Sequence, residues 1–207
     1  MTTLMVYAGP AAADSAITRT GGVPLVPAGF GWPTCRACEG PMEFIAQVMP
    51  GDLGLDEGQD VLSVFMCQND PGLCSEWDPV AGGNKALLFP AAGLRAAVVP
   101  DGPAVGLEEV SSIQRVTASE DYDEARDGWA EREVRPAGDV LGQLGGQPSW
   151  VQGDETPACP ECATPMGFAV QLEEGHDYQT AANFGGGGCG YGFTCRPCAT
   201  AAFLWQT

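Results

Sequence analysis

Residues 21–48 and 145–172 are two versions of one motif. The first reads Gly21-Gly22-x-Pro24, Pro33, Cys35-x-x-Cys38, Pro41-Met42-x-Phe44 and Gln47. The second reads Gly145-Gly146-x-Pro148, Pro157, Cys159-x-x-Cys162, Pro165-Met166-x-Phe168 and Gln171. Each residue of the second copy lies 124 positions after its partner, without a gap, and 11 of the 28 aligned positions are identical, counting Gly29 with Gly153. A chain rich in Gly and Pro can match itself by chance at a few places. Chance does not put both cysteine pairs, both Pro-Met steps and both glutamines in one frame. The chain is an internal duplication, so its fold has to build one unit twice.

The cysteines extend the repeat. There are nine, at 35, 38, 67, 74, 159, 162, 189, 195 and 198. Each half supplies a Cys-x-x-Cys knuckle and a distal pair, Cys67 with Cys74 and Cys195 with Cys198. Four thiolates delivered from two points suit a tetrahedral Zn²⁺ ion, and two sets of four make two sites. An all-sulfur site leaves no coordination position for water, so two structural Zn²⁺ ions are expected rather than a catalytic metal. Two such units would take the formal charge from −18 to −22. Other chemistries use paired cysteines. Disulfides fit an oxidising compartment, and nothing in the sequence indicates export. Thioredoxin-like exchange uses one exposed pair at a helix start, whereas these pairs are duplicated and precede strands. An iron–sulfur centre uses the same ligands, and ligand type alone does not separate it from zinc. Cys189 is the odd thiol. It could replace a ligand of the second set, but Cys195 and Cys198 match the first copy better by their position after the Phe, which leaves Cys189 as a small buried residue beside the glycine run.

Strand signals dominate the rest. Leu4–Tyr7, Met42–Val48, Val61–Cys67, Ala86–Phe89, Ala96–Val99, Val110–Val116, Met166–Leu172, Tyr191–Cys195 and Ala201–Trp205 are short apolar or alternating runs punctuated by turn residues. One helix is expected, at about Glu120–Glu133, with Ser119 as its cap and a thin apolar stripe through Tyr122, Ala125 and Trp129. The predicted fold is β-rich α+β, with two pseudo-symmetric duplicated halves of mainly antiparallel short strands, each with a four-cysteine zinc knuckle site, and little helix. Residues 1–118 form the first half, 119–138 an acidic helical connector and 139–207 the second half, the whole able to form one compact unit.

Charge narrows the partners. The chain has 27 acidic residues against 9 basic ones, and Lys85 is the only lysine. Nucleic-acid affinity rests on Lys and Arg against phosphate, so no nucleic-acid partner is expected. No apolar run is long enough to span a bilayer, the start lacks a basic leader, and a cytoplasmic, membrane-free protein is the expectation. The acidity is either a solvated surface or a means of holding a basic protein client.

Catalytic signals are thin. Gly185–Gly188 resembles a phosphate loop but lacks the Gly-Lys-[Ser/Thr] ending. His176, the single histidine, sits in a polar loop among acidic residues, and no nucleophile has a recognisable partner. An enzyme using that glycine-rich loop and His176 in a cleft is the alternative to a non-enzymatic protein. Gln47 and Gln171 occupy equivalent strand positions, where they either face solvent, bond internally or recognise a peptide backbone as symmetric amides. Trp32 aligns with Thr156 and Trp150 with Val26, so the halves present different aromatic surfaces. Trp32, Gln47, Trp150 and Gln171 are the candidate partner-binding residues.

The run Gly21-Gly22-Val-Pro24-Leu-Val-Pro27, Trp32-Pro33 and Pro41-Met42-x-Phe44-Ile-Ala-Gln47-Val resembles the bacterial YwqG-like domain. The second copy, with Cys159-Pro-Glu-Cys162 and Met166-x-Phe168, resembles both that domain and the eukaryotic programmed cell death protein two family. Phe65-Met-Cys67 through Cys74 is similar to the distal zinc half-site of the latter. The resemblance spans about residues 4–205. It departs where YwqG-like proteins commonly carry an Asp, since this chain has Gly185-Gly-Gly-Gly-Cys189 before Gly190-Tyr191-Gly-Phe193. The resemblance implies a duplicated, β-rich, non-enzymatic protein that binds a protein or peptide client. Its eukaryotic relatives act as chaperones for a ribosomal protein, and some bacterial relatives are proposed as immunity factors beside toxins.

Overall fold

A computed structural model of the chain describes residues 1–52, 60–101, 110–175, 177 and 181–207. The strands in chain order are β1 (Thr2–Pro10), β2 (Arg19–Thr20), β3 (Leu25–Val26), β4 (Glu43–Val48), β5 (Asp60–Met66), β6 (Asn84–Pro90), β7 (Arg95–Ala96), β8 (Ser111–Ala118), β9 (Val140–Leu144), β10 (Gly167–Glu173), β11 (Cys189–Cys195) and β12 (Thr200–Gln206). The helix α1 (Tyr122–Glu133) lies between β8 and β9. The protein is β-rich, as the strand signals imply. Among the described residues no helix is long and apolar enough to cross a membrane.

Ten strands form one antiparallel sheet in the order β12-β11-β10-β9-β1-β8-β2-β4-β5-β6. That order reads the same from either end when each strand is exchanged for its repeat partner. The local twofold therefore passes between β1 and β8, which pair from Thr2↔Ala118 to Tyr7↔Ile113. β1 pairs with β9, beyond the connector, while β8, which takes the place of β1 in the reversed order, pairs with β2. Among the described residues only β3 and β7, paired through Leu25↔Ala96 and Val26↔Arg95, stand outside this sheet.

The copies agree residue by residue. Both β4 and β10 carry a bulge at the same place, between Phe44 and Ala46 and between Phe168 and Val170. An extra residue in one strand shifts the alternation of its side chains. Ile45, Ala46, Val48 and Ala169, Val170, Leu172 consequently face one interior, while Phe44 and Phe168 turn to the other face. In β11 the residues facing the interior are Gly190 and Gly192. A Cβ at Gly190 would lie 2.5 Å from the Phe203 ring and one at Gly192 would lie 2.8 Å from Val170, so the packed interior leaves space only for hydrogen.

That interior draws on both halves. Met5, Leu62, Val64, Met66, Ala86, Val170, Leu172, Phe184 and Phe203 form one buried cluster. The sheet curls until its edges β6 and β12 approach each other without a hydrogen-bonded ladder, as a nearly closed barrel. One backbone bond spans the seam region, from Trp205 N–H to the Trp77 carbonyl at 3.4 Å.

On the outer face, α1 buries Tyr122, Ala125 and Trp129 against Leu4, Val6 and Val140. Its cap is Asp121, whose carboxylate accepts the Glu124 N–H at 3.1 Å, and not the expected Ser119. Asp121 has the extended backbone a cap requires, and its carboxylate also meets the positive helix end.

Candidate metal centres

The two Cys-x-x-Cys knuckles are matching turns. In the first, Cys35 N–H donates to Gly40 O at 2.9 Å and Glu39 N–H to Cys35 O at 2.9 Å; in the second, Cys159 N–H donates to Thr164 O and Ala163 N–H to Cys159 O, both at 2.8 Å. Glu39 and Ala163 both adopt left-handed backbone, with φ 60° and 58°. A non-glycine residue holds that conformation only where its surroundings over-determine it. The bridges Thr34↔Pro41 and Ala158↔Pro165 seal the bases of the turns and lead into β4 and β10.

The distal ligands come from the neighbouring strand. Cys67 follows β5 and Cys195 ends β11; Cys74 and Cys198 lie in the next turn. Each knuckle and its distal pair converge, so that the Sγ atoms of Cys35, Cys38, Cys67 and Cys74 all lie within 4.8 Å of one another, as do those of Cys159, Cys162, Cys195 and Cys198. The Cys38–Cys67 and Cys162–Cys195 sulfurs are 3.7 Å apart. A disulfide would need about 2.05 Å. Four thiolates about 2.3 Å from one central ion define a tetrahedron with edges of about 3.8 Å. The groups thus fit a single tetrahedral metal ion each, and all eight cysteines expected as ligands are in place.

Outer contacts prepare the sulfurs for a cation. Asn69 Nδ2 donates to Cys67 Sγ at 3.4 Å and Cys38 Sγ at 3.6 Å, and to Pro41 O at 3.1 Å. In the second centre the Thr200 hydroxyl lies 3.3 Å from Cys159 Sγ and the Thr164 hydroxyl 3.0 Å from Cys162 Sγ. The Gly40 N–H lowers the Cys38 pKa, and the Thr200 hydroxyl brings Cys159 down to about 6. Burial raises Cys67 and Cys195 instead. Thiols crowded at this distance cannot all ionise unaided; a bound cation removes the conflict, and its binding releases their protons.

The centres differ in exposure. Cys35, Cys67 and Cys74 are at most 4% exposed and Cys38 is half-buried. In the second centre Cys162 is exposed and Cys198 half-buried. Cys189 belongs to neither group. It is buried beside Tyr191, and burial, followed by Glu173, pushes its thiol up to about 12.

Trp32 and Trp150 come from non-equivalent positions but do the same work. Trp32 meets Phe65 edge-on at 5.6 Å, and Trp150 stacks on Phe193 at 5.9 Å, the equivalent ring beside the second centre. Both are half-buried. Gln47 and Gln171 are 0% and 1% exposed, and the backbone they hold is their own chain's. Gln47 Oε1 accepts Leu25 N–H at 3.2 Å and Gln171 Oε1 accepts Ser149 N–H at 2.9 Å, which fastens the Gly-Gly-x-Pro turn onto β4 or β10.

Sequence reasoning missed three charged anchors. Arg19 is 1% exposed, donates from Nε to Ser15 O at 3.1 Å and from its terminal nitrogens to Gly21 O and Val23 O, and sits 5.5 Å from the Phe44 ring centre. Burial lowers its pKa to about 10, with Asp14 acting the other way. Gln143 takes the equivalent place and bonds Gln147 O at 3.1 Å. Glu76, 2% exposed, accepts the N–H groups of Gly72 and Cys74 and shapes the first distal turn. Glu174 fills the glycine-rich loop: its carboxylate accepts N–H groups of Phe184, Gly186 and Gly187 at 2.6, 2.9 and 2.8 Å. A nest of backbone amides binds anions, and here the anion is internal. His176 lies outside the described residues.

Fold and centres together define a duplicated β-rich protein with two four-cysteine groups able to hold metal ions. No family model matches the chain, and no solved structure matches it. It is similar to the uncharacterized protein YpfL of Salmonella typhimurium, at 43% identity over 68 residues. That stretch is 32% of this chain and 15% of the relative, so the chain spans only a small part of that protein.

Proposed function

We propose that this protein is a non-enzymatic, zinc-stabilised module that binds a protein or peptide client, in a chaperone-like or an immunity-like role. The observation that carries this reading is the pair of closed four-sulfur groups. Each matches the tetrahedral edge of a four-thiolate zinc site and leaves no open coordination position for chemistry. Each ion fixes turns around an aromatic face topped by Trp32 or Trp150. Zinc is favoured over a polynuclear iron cluster because sulfurs this close surround a single ion. The resemblance to the YwqG-like and programmed cell death protein two families supports client binding, and a net charge of −18 favours long-range attraction of a basic client in the cytoplasm. The rival reading, an enzyme built on Gly185–Gly188 and His176, loses support because Glu174 already holds the loop amides.

The test combines metal analysis with client capture. Protein purified in reductant should carry two zinc equivalents and retain one stoichiometric partner from a cytoplasmic lysate. Metal-free material that is fully folded would refute the zinc reading, and the absence of any retained partner would refute the binding one.

A further inference from the structure

The halves diverge sharply between the first distal cysteine and the following strand. Residues 68–83 fill that interval in the first half, and only 196–199 in the second. The longer segment is not slack. Cys74 ties it to the first centre, Glu76 closes its turn, and Asn84 Nδ2 holds the Glu76 and Asp78 carbonyls at 2.8 and 3.0 Å. Gly83 runs so close to Cys74 O that a Cβ there would be 2.3 Å away. Yet this braced segment shows Leu73 and Val80 to solvent, 80% and 82% exposed, with Trp77 at 44%. Rigid backbone that presents three apolar side chains outward has the character of a contact surface.

The segment also reaches the other half. Trp77 stands edge-on to Trp205 of β12, with ring centres 6.3 Å apart. Beside it lies a groove of about 520 Å³ whose lining includes Trp32, Val80, Ala86 and Phe203. The charged side chains in that lining are Arg36 and Lys85, and no carboxylate is among them, in a chain with 27 acidic residues. Both cations are exposed, and neither has an ion-pair partner among the described residues.

We infer that this groove docks an extended peptide segment carrying an apolar side chain beside a carboxylate. The apolar side chain packs on Trp32 and Val80, and the carboxylate meets Arg36 and Lys85. This rests on the protein-binding reading above and gives it a site and a chemistry. An acidic peptide finds few other places on so acidic a surface, so the same charge pattern that seats it also restricts where it can bind. A basic client would seat such a segment through a local acidic stretch.

The test uses the zinc-loaded 207-residue chain and three labelled ten-residue peptides that share Leu and Phe but carry two Glu, two Gln or two Lys. Fluorescence anisotropy should rank Glu over Gln over Lys. The double variant Arg36→Glu with Lys85→Glu should weaken the Glu peptide at least tenfold and reverse the ranking. Trp77→Ala with Val80→Ser should weaken all three alike. Zinc content of two equivalents in each variant verifies the fold. A wild-type preference for the Lys peptide, or a ranking indifferent to charge reversal, overturns the inference. If no peptide binds although a lysate client is still retained, the groove assignment falls and the binding function stands. If neither binds, both fall.

Discussion

Glu43 makes a quantitative test of the packing. It opens β4, opposite Met66 of β5, and is 7% exposed. It has neither an ion pair nor a side-chain hydrogen bond among the described residues, and burial alone raises its pKa from 4.5 to about 7. The folded state therefore holds a proton that the unfolded chain releases. Stability is full below pH 4.5 and falls as pH rises toward 7, with little further loss above it. At about 1.36 kcal/mol per unit, the ionised group costs about 3 kcal/mol at pH 8 and about 1 kcal/mol at pH 5.5. Glu43→Gln removes the titration. Its stability relative to the native protein should grow by about 2 kcal/mol between these pH values, roughly 4–8 °C in Tm for a chain of this size. Paired urea melts of zinc-loaded protein measure this, because pH effects on the metal centres are common to both proteins and cancel. A difference that stays flat across the window would mean Glu43 is solvated or paired, and the argument from burial would be wrong.

Cys35→Ser and Cys159→Ser should each remove one of two zinc equivalents, measured by metal analysis, and destabilise the fold by several kcal/mol or more, because binding energy here is folding energy. Cys162, the exposed ligand, should be the first to react with a thiol alkylator, and under chelation the second centre should empty before the first; mass spectrometry of partially modified protein reads both. Arg19→Met should cost about 3 kcal/mol in denaturant melts, since three carbonyls lose a buried cationic donor together. Glu174→Ala should strip hydrogen-exchange protection from the Phe184, Gly186 and Gly187 amides and cost roughly 1–3 kcal/mol, while leaving zinc content at two.

The metal groups were legible because cysteine spacing encodes them directly. Eight sulfurs separated by up to 39 residues within a half form two groups because strand pairing brings Cys67 beside Cys38 and Cys195 beside Cys162. Most of the longer strands were legible too, from apolar or alternating runs, but β9 at Val140–Leu144 was not expected. What escaped was whatever depends on a distant partner. Arg19 looks like a surface residue in sequence, and only the carbonyls of the Gly21-Gly22 turn make its burial tolerable. Gln47 and Gln171 are equivalent in the repeat, but nothing local says that their amides hold the preceding turn. Ala96–Val99 reads as a strand, yet only Arg95–Ala96 pairs, because its partner Leu25–Val26 is bracketed by Pro24 and Pro27; Val98 is left 92% exposed. At the helix start two capping residues compete, Ser119 and Asp121, and position relative to the first buried side chain, Tyr122, decides between them.

Duplication explains why there are two centres; it does not make them equivalent. β1 meets β8 at the twofold and pairs on its other side with β9, so one sheet runs through both halves and the barrel interior depends on both. The second centre is built from the shorter connection and braces a tight turn with one ligand open to solvent. The first holds a segment several times as long, and that segment carries Leu73, Trp77 and Val80 outward and meets the other half at Trp205. A segment of that length would lose its shape without Cys74 and Glu76, since ordering it costs about 1–2 kcal/mol of backbone entropy per residue. A metal at the first centre would therefore hold an exposed apolar surface in one shape, whereas a metal at the second would keep the barrel's other edge in place to form the opposite wall.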